Sequence, residues 1–574
     1  MEFRDFYYNE ELYEDVKSDE NLVICARLGS GKSESVKKYV SETNGDKILI
    51  VVNDGIAQKS YLDDLEDKMV VHNKIQDDKD KDIEWEGIAI RDYDESYSML
   101  TDEKNILCIT KSKFNKLLII RPNSFLNFHK IIIDESNGLN PIMVTDLTTD
   151  IDKIISNLSP VMKIKTDLYY NSIIDVLTFL KRIQNKYNDE EITLFYQEDI
   201  PQNLQQIAQN LTRNMRRLYN EKKLFGLKDV DLLFGVLNSM ANNSFYLGDI
   251  VMRGRKQVHI LFANTFLSDY INSTTSIIKI LDGTADNIKP LYDWLKIKVR
   301  KDYKCNEKTY PNLKIHLHTY KNLTPAKGRK SLEHTAKVVD DILKDKRQGK
   351  LTFAINRLVK ENIFTDNFDL LEYAFNGKDV GSNEFRDMTE MNIIYYQTLP
   401  RTYRMVYNKL FKDLSFEDSC KHIHMKEAES ELVGAMLCQL IGRLKIRCDS
   451  NAEVNVHCYC ISRDSLMGTV EHFKLTKDNV VKYDEVDIGI DLYNVKENDI
   501  VARLKTHIDE NSPDKIILVD WIRENFYEVK TKQDTINQMY KRVKPKLQSI
   551  DNYELVSKRG RGVKAYLCFN GTGS

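Results

Sequence analysis

The chain alternates between short apolar runs and longer stretches with apolar residues at helical spacing. Leu22-Val23-Ile24-Cys25, the KILIVVN segment from Lys47 to Asn53, Ile106 to Thr110, and His129 to Ile133 are each only a few residues long and rich in β-branched side chains. That length and composition predict buried strands. The first is followed by a predicted helix over Glu34–Val40, and strands alternating with helices predict a parallel, doubly wound sheet. Between residues 150 and 245 the period changes. SIIDVLTFLKRIQNKY, LQQIAQNLTRNMRRLY and DVDLLFGVLNSM place apolar residues three and four apart, which predicts a mostly helical insertion with its Tyr and Leu residues in a core. Strand patterns return at Val258–Phe262 and Ser276–Leu281. They return again in a second α/β block near 312–470, at Leu351–Ile355, Met391–Tyr396 and Val454–Tyr459. A charged stretch over 475–500 reads as a linker. Beyond it, Asp499–Glu510, Leu518–Phe526 and Thr535–Ile550 predict three helices. Tyr553–Lys558 and Val563–Phe569 predict two strands joined by the hairpin loop Arg559-Gly560-Arg561-Gly562.

A chain of 574 residues, 42% hydrophobic, is long enough for roughly three or four domains with real cores. No apolar run approaches the ~20 residues that a membrane span needs. The acidic, aromatic start MEFRDFYYNEELYEDV is unlike a secretory signal. The nine cysteines are scattered, with only Cys458 and Cys460 close together. This argues against a disulfide framework or an iron–sulphur cluster and fits a reducing, cytoplasmic compartment. The 11 histidines follow no metal-ligand spacing. A net charge of −3 gives no global attraction to nucleic acid, so any such surface is local. Residues 60–95 hold 13 Asp/Glu against 5 Lys/Arg and read as solvated helix and loop. Residues 530–564 hold 10 Lys/Arg against 3 Asp/Glu.

Chemistry enters at Gly29-Ser30-Gly31-Lys32-Ser33, directly after the first strand. Glycines there let the backbone turn sharply and aim successive N–H groups at an anion. Lys32 reaches toward the β- and γ-phosphates of a nucleotide, Ser33 offers a hydroxyl to Mg²⁺, and the next helix points its positive end at the same place. Ala26 stands where the strict phosphate-loop pattern has its first glycine. Asp134-Glu135 closes a strand of three isoleucines, where one carboxylate suits the metal and the second suits the attacking water.

These segments resemble the superfamily-two helicases. ARLGSGKS is similar to their motif I, in which an alanine occupies the position of Ala26, and DESN at 134–137 resembles their DExx box. Leu281-Asp282-Gly283-Thr284-Ala285 resembles motif III, with Asp282 in place of the usual serine. Gly381-Ser382-Asn383-Glu384-Phe385-Arg386-Asp387 lies where motif V belongs. Gln439-Leu440-Ile441-Gly442-Arg443 resembles motif VI, except that Ile446 stands at the place of the family's second arginine and Arg447 follows it. The motif V segment and the order of the motifs are similar to helicases of phages, plasmids and DNA viruses, and more distantly to herpesvirus-type origin-binding helicases. A large insertion after the DExx box is also found in the iron–sulphur repair helicases, whose four clustered cysteines this chain lacks. The C-terminal helices and basic hairpin resemble a winged helix.

The resemblance implies two RecA-like lobes, at 1–145 with 256–305 and at 306–475. The helical insertion then spans 146–255, a linker 476–497, and a small winged-helix-like α+β domain 498–570. It implies ATP and Mg²⁺ as cofactors. Gly29 to Ser33 would hold the phosphates, Ser33 and Asp134 the metal, Glu135 the water, and Gln439 with Arg443 or Arg447 the site from the second lobe. Thr284, Gly381 and Asp387 would couple the lobes. Lys541, Arg542, Lys544, Lys546, Arg559 and Arg561 would meet a phosphate backbone. The expected partner is DNA, single-stranded or forked, with RNA left open and replication proteins as further partners. The expected setting is replication of a phage or mobile element, in the bacterial host cytoplasm. The rival expectations are a duplex translocase and an origin-binding or regulatory protein whose ATPase is only a switch.

Overall fold

The computed structural model describes residues 8–53, 55–72, 89–90, 93–135, 142–146, 167–189, 195–197, 199–221, 230–252, 255–263, 265–320, 351–354, 373–375, 385–394, 401–459, 463–486, 495–511, 515–526, 539–541, 543–544, 553–556 and 566–569. Two compact units are present, Met1–His318 with Val339–Tyr483, and Thr319–Val338 with Asp484–Ser574.

The first lobe of the larger unit contains Leu22–Ile24 (β1), Ile48–Val52 (β2), Met69–His72 (β3), Ala89–Ile90 (β4), Ile106–Thr110 (β5) and Lys130–Asp134 (β6). An insertion follows, with strands Ile142–Asp146 (β7), Phe195–Gln197 (β8), Tyr246–Met252 (β9) and Arg255–Ala263 (β10). The lobe then closes with Ile277–Leu281 (β11) and Lys298–Arg300 (β12). The main sheet runs β12-β1-β11-β6-β2-β5-β3-β4, every pair parallel. Strand side chains alternate between faces, so a wholly apolar run must bury both. Val23, Leu49, Val51, Leu107, Ile131 and Ile133 enter one core, while Leu22, Ile24, Ile48, Ile50, Val52 and Ile132 enter the other. Burying each such side chain contributes about 1.5–3 kcal/mol, which keeps these strands central. The strand β3 lies within the stretch expected to be solvated helix and loop. Its four residues MVVH are all buried, and their acidic neighbours hid so short a run.

Two lysines interrupt the apolar strands, and both are fully buried. Lys130 Nζ donates to the carbonyls of Val16 (2.8 Å), Lys17 (2.9 Å) and Ser18 (3.1 Å) at the end of the helix Glu10–Lys17. Lys279 Nζ donates to Ser18 Oγ at 2.6 Å. A cation there satisfies the carbonyls that a helix end leaves open.

The insertion holds the expected helices, Asp167–Asp189, Gln202–Asn220 and Val230–Ala241. It also holds an antiparallel sheet of its own, β7-β10-β9-β8. Val258–Phe262 was expected to complete the first lobe, but it lies in β10 and pairs with β7 and β9 instead. An apolar strand carries no label for the sheet it joins, and β10 finds a partner close by in the chain, with Arg255 opposite Met252 and Val258 opposite Asp249.

The second lobe contains Leu313–Tyr320 (β13), Leu351–Ala354 (β14), Tyr373–Phe375 (β15), Glu390–Ile394 (β16), Val454–Tyr459 (β17) and Val480–Val486 (β18). Their order is β15-β14-β16-β17-β13-β18, and the pairs from β15 through β13 are parallel. Leu313, Ile315, Met391, Ile393, Val454 and Val456 pack on Val433, Leu437 and Leu440 of the helix His422–Ile441. The stretch 476–497, expected as a linker, begins with an edge strand of this sheet. Asn479 Nδ2 donates to the carbonyls of Pro311 (3.0 Å) and Leu313 (2.9 Å), which ties β18 beside β13. The charges that suggested a linker are those of an edge strand. The two sheets and their helices give an α/β fold of two RecA-like lobes.

The smaller unit contains the helix Val495–Asn511, Lys515–Ile517 (β19), the helix Leu518–Phe526, Tyr553–Val556 (β20) and Tyr566–Phe569 (β21). Its sheet is antiparallel in the order β19-β21-β20. Ile500, Leu504, Leu518, Trp521, Ile522 and Val543 form its core. The strand β19 was not expected. Most of the expected helix Thr535–Ile550 and the whole loop Arg559–Gly562 lie outside the described residues. Among the described residues, no helix is long and apolar enough to cross a membrane.

Candidate nucleotide site

β1 ends at Ile24, and the chain turns through Gly29 (φ 76°) and Gly31 (φ 86°) into the helix Lys32–Glu42. Both angles belong to the left-handed region that glycine enters without strain. Lys32 is 8% exposed, and its Nζ donates to the carbonyls of Ala26 and Arg27, the latter at 3.0 Å. Burial pulls its pKa down, while Glu135 and Asp134 act in the opposite sense. Ser33 Oγ donates to Asp134 Oδ2 at 3.2 Å, and Tyr61 OH donates to the same oxygen at 2.9 Å. Burial raises the Asp134 carboxyl, and the neighbouring Glu135 raises it further.

Glu135 follows β6 with φ 63°, an uncommon angle for a residue with a side chain. Its N–H donates to Leu281 O at 2.8 Å, which holds that turn against the next strand. Its Oε1 accepts from Arg443 NH2 at 3.2 Å, a contact between the two lobes. Arg443 is 3% exposed, so this pair is shielded from solvent. Oε2 of Glu135 is buried with no hydrogen-bond partner, as is Ser30 Oγ.

β11 lies between β1 and β6, which brings its C-terminal turn between the loop and the acidic pair. Asp282 occupies that turn fully buried. Its Oδ1 accepts from Thr284 N (2.9 Å) and Thr284 Oγ1 (2.8 Å), and its Oδ2 accepts from Tyr292 OH (2.5 Å). The Asp282 carboxylate thus engages three donors. Gln439 Nε2 from the second lobe donates to Thr284 Oγ1 at 3.3 Å. A Cβ placed on Gly283 would meet Ala26 O at 3.0 Å and Lys32 Nζ at 3.2 Å, so the turn sits directly on the loop.

Arg447 reaches the same loop from the second lobe. A Cβ on Gly29 would lie 2.5 Å from Arg447 Cγ. The reason is local. After the helix His422–Ile441 the chain makes a short 3₁₀ turn, Lys445–Arg447. With about three residues per turn, that segment sends Ile446 into the second lobe's core at 3% exposure and Arg447 outward onto the loop. Burial lowers the Arg447 pKa, and Arg443 beside it lowers it further.

The structure thus brings together Gly29 to Ser33, Asp134, Glu135, Thr284, Gln439, Arg443 and Arg447. Asp387 is exposed, and its carboxylate lies 3.6 Å from Arg386. Gly381 lies outside the described residues, as do Arg542, Lys546, Arg559 and Arg561. Lys541 is exposed and Lys544 half-buried in the smaller unit. Sequence reasoning missed Tyr61, a lone tyrosine on a helix with no motif around it. It also missed Asn306, whose Oδ1 accepts from Arg27 N (2.9 Å) while its Nδ2 donates to Cys25 O (2.7 Å).

The buried, unpartnered Glu135 Oε2 and Ser30 Oγ leave polar capacity beside Lys32. The donor set therefore fits a phosphate anion together with an oxygen-seeking cation held by Ser33 and Asp134.

No family model matches the chain, and no curated protein matches it. Three solved structures illustrate what it is similar to. S. tokodaii Xpd4 aligns over 82% of this chain and 98% of its own, at 12% identity and a TM-score of 0.45. The DUF1998 helicase MrfA bound to DNA aligns over 98% of this chain and 57% of its own, at 10% identity and a TM-score of 0.33. Mycobacterium smegmatis helicase Lhr bound to ssDNA and AMP-PNP aligns over 98% and 58%, at 10% identity and a TM-score of 0.32.

Proposed function

We propose that this chain is an ATP-driven nucleic-acid translocase of the superfamily-two type, a DNA helicase that serves replication of a phage or mobile element. The observation that carries the reading is the contact of Arg443 from the second lobe with Glu135 of the first, beside Lys32 and the Ser33–Asp134 pair. Residues from both lobes converge on one phosphate-sized cradle, so nucleotide binding and lobe closure are coupled.

In this reading the loop amides and Lys32 hold the phosphates of ATP, and Ser33 and Asp134 hold Mg²⁺, which neutralises phosphate charge when bound. Glu135 orients the attacking water through the carboxylate oxygen that has no protein partner. Arg443 fixes the other oxygen and so sets the direction of that carboxylate. Arg447, lying on Gly29, faces the charge that develops on the transferred phosphoryl group. Gln439 and Thr284 link the second lobe to the turn resting on Lys32. Hydrolysis and release loosen these contacts, the lobes part, and each cycle shifts the protein along a strand. In the smaller unit, the helices and the sheet order β19-β21-β20 support a winged-helix module whose basic segment meets the phosphate backbone.

The test is ATP hydrolysis measured in parallel with single-stranded DNA, duplex DNA and RNA, followed by strand displacement. Stimulation by single-stranded DNA, with displacement of a forked strand, is expected. Lys32→Ala should lower turnover by roughly 10³-fold or more. Turnover that ignores nucleic acid would overturn the reading, and stimulation without displacement would favour a duplex translocase.

A further inference from the structure

The helix Gln202–Asn220 of the insertion buries Leu204, Ala208, Leu211, Met215 and Leu218 on one face. The adjoining stripe is Arg213, Arg216, Arg217 and Asn220, at i, i+3, i+4 and i+7. Such a stripe usually faces open solvent. Here it lines a cleft of about 860 Å³ together with the segment from Arg121 to Ser124 of the first lobe, the amides of Asn238 and Asn242, and the carboxylates of Glu221 and Asp269, so four guanidinium groups face two acids.

Four guanidinium groups line this cleft, and they are held to different degrees. Arg216 is pre-organised: its Nε donates to Ile119 O at 3.0 Å, and its guanidinium lies 5.3 Å from the Phe266 ring centroid and 5.8 Å from that of Phe234. Arg121 pairs with the exposed Asp94 at 3.0 Å, and Arg217 pairs with Glu221 at 3.9 Å on the exposed side of the helix. Exposed ion pairs of this kind are worth little and yield readily to a stronger anion. Arg213 is exposed and has no ion-pair partner among the described residues. Arg213 and Arg217 stand about 6 Å apart along the helix, comparable to one phosphate-to-phosphate step of an extended strand. Asn123 and Asn220 add amides that donate and accept beside them.

The cleft is separate from the nucleotide cradle. Arg121–Ser124 precedes β6, and Asp134 ends it, so the cleft lies toward the amino-terminal edge of the sheet. The strand between them spans roughly 15 Å.

We propose that this cleft binds the phosphodiester backbone of a single-stranded nucleic acid, as a second track on the insertion face. The proposal rests on the reading that the chain works on nucleic acid. Fork-shaped guanidinium groups recognise phosphate with two parallel hydrogen bonds, and a row of them follows a backbone without reading its sequence.

The experiment uses the full chain and a fluorescein-labelled dT20 oligonucleotide, with anisotropy followed between 50 and 200 mM NaCl. Both arginines to be changed are exposed, so Arg213→Ala with Arg217→Ala leaves the core intact. The double variant should weaken binding about tenfold and flatten the slope of log Kd against log salt by about 1. Arg213→Glu with Arg217→Glu should weaken it further, and ATP turnover without DNA should be unchanged in both. If the wild-type chain binds dT20 and both variants match its affinity and slope, the proposal is overturned while the translocase reading stands; the cleft then suits an acidic protein segment. If the wild-type chain neither binds dT20 nor responds to it in ATP turnover, both fail together.

Discussion

The first lobe holds its part of the site on backbone, and the second holds its part on reach. Lys32 and Ser33 project from the first turn of the helix Lys32–Glu42 and Asp134 from the end of β6, beside a sheet buried on both faces. Gln439, Arg443 and Arg447 project from one helix end and a three-residue turn, with long side chains that cross to the other lobe. Rigid positioning suits groups that must hold a phosphate throughout the cycle. Long side chains on a separate body suit groups that must arrive only on closure. The turn Asp282–Thr284 stands between the two, fixed to the first lobe by Tyr292 and touched by Gln439 of the second.

That comparison can be broken in three places. The largest effect is expected at Arg447→Ala. If the second lobe supplies charge stabilisation only on closure, turnover should fall about 10³-fold while nucleotide affinity changes far less. A loss confined to KM would mean that Arg447 belongs with the permanent phosphate holders. Next is Asp282→Ala, which removes the acceptor for Thr284 and Tyr292 and leaves buried donors unpaired. A loss of about 2–3 kcal/mol in unfolding free energy by urea titration is expected. Unchanged stability would show that the turn does not depend on its carboxylate.

The smallest effect concerns the base of the first lobe. Burial first, and then the nearby Lys130, depress Lys279 to about 8 from an ordinary 10.5. The charged form is thus disfavoured in the fold. Its cost is fully present below pH 8 and is relieved as pH rises toward the unfolded value, because the unfolded chain then binds more protons. Relative to Lys279→Met, the native chain should therefore gain stability between pH 8 and pH 10, on the order of 2 kcal/mol. Parallel urea midpoints for the two proteins across that range would mean that the lysine keeps its charge through its contact with Ser18.

Much of the first lobe was legible because its signals are local. An apolar run flanked by polar residues marks a buried strand wherever it sits, so Ile106–Thr110 is a strand from end to end and Ile48–Val52 falls inside its expected bounds. Other features depended on neighbours far away in sequence. Val258–Phe262 has the pattern of a strand, yet nothing in it distinguishes the main sheet from the insertion's own. The charges of 480–486 look alike on a linker and on a sheet edge, and Asn479 decides between them only through Pro311 and Leu313. Tyr61 gains its place by packing a helix beside Asp134.

The sequence by itself determined the central apolar strands of the first lobe, the glycine turn before Lys32, and the carboxylate pair at a strand end. Each is written in contiguous residues whose backbone preferences and burial need no distant partner. Only the tertiary structure decided which second-lobe arginine meets which part of the site. One residue of offset looked like a missing arginine at Ile446. In the fold, a tight turn buries Ile446 among the apolar residues of the second lobe and so aims Arg447 at Gly29. Side-chain direction there is set by what the lobe must bury, and a spacing rule read along the chain does not contain that.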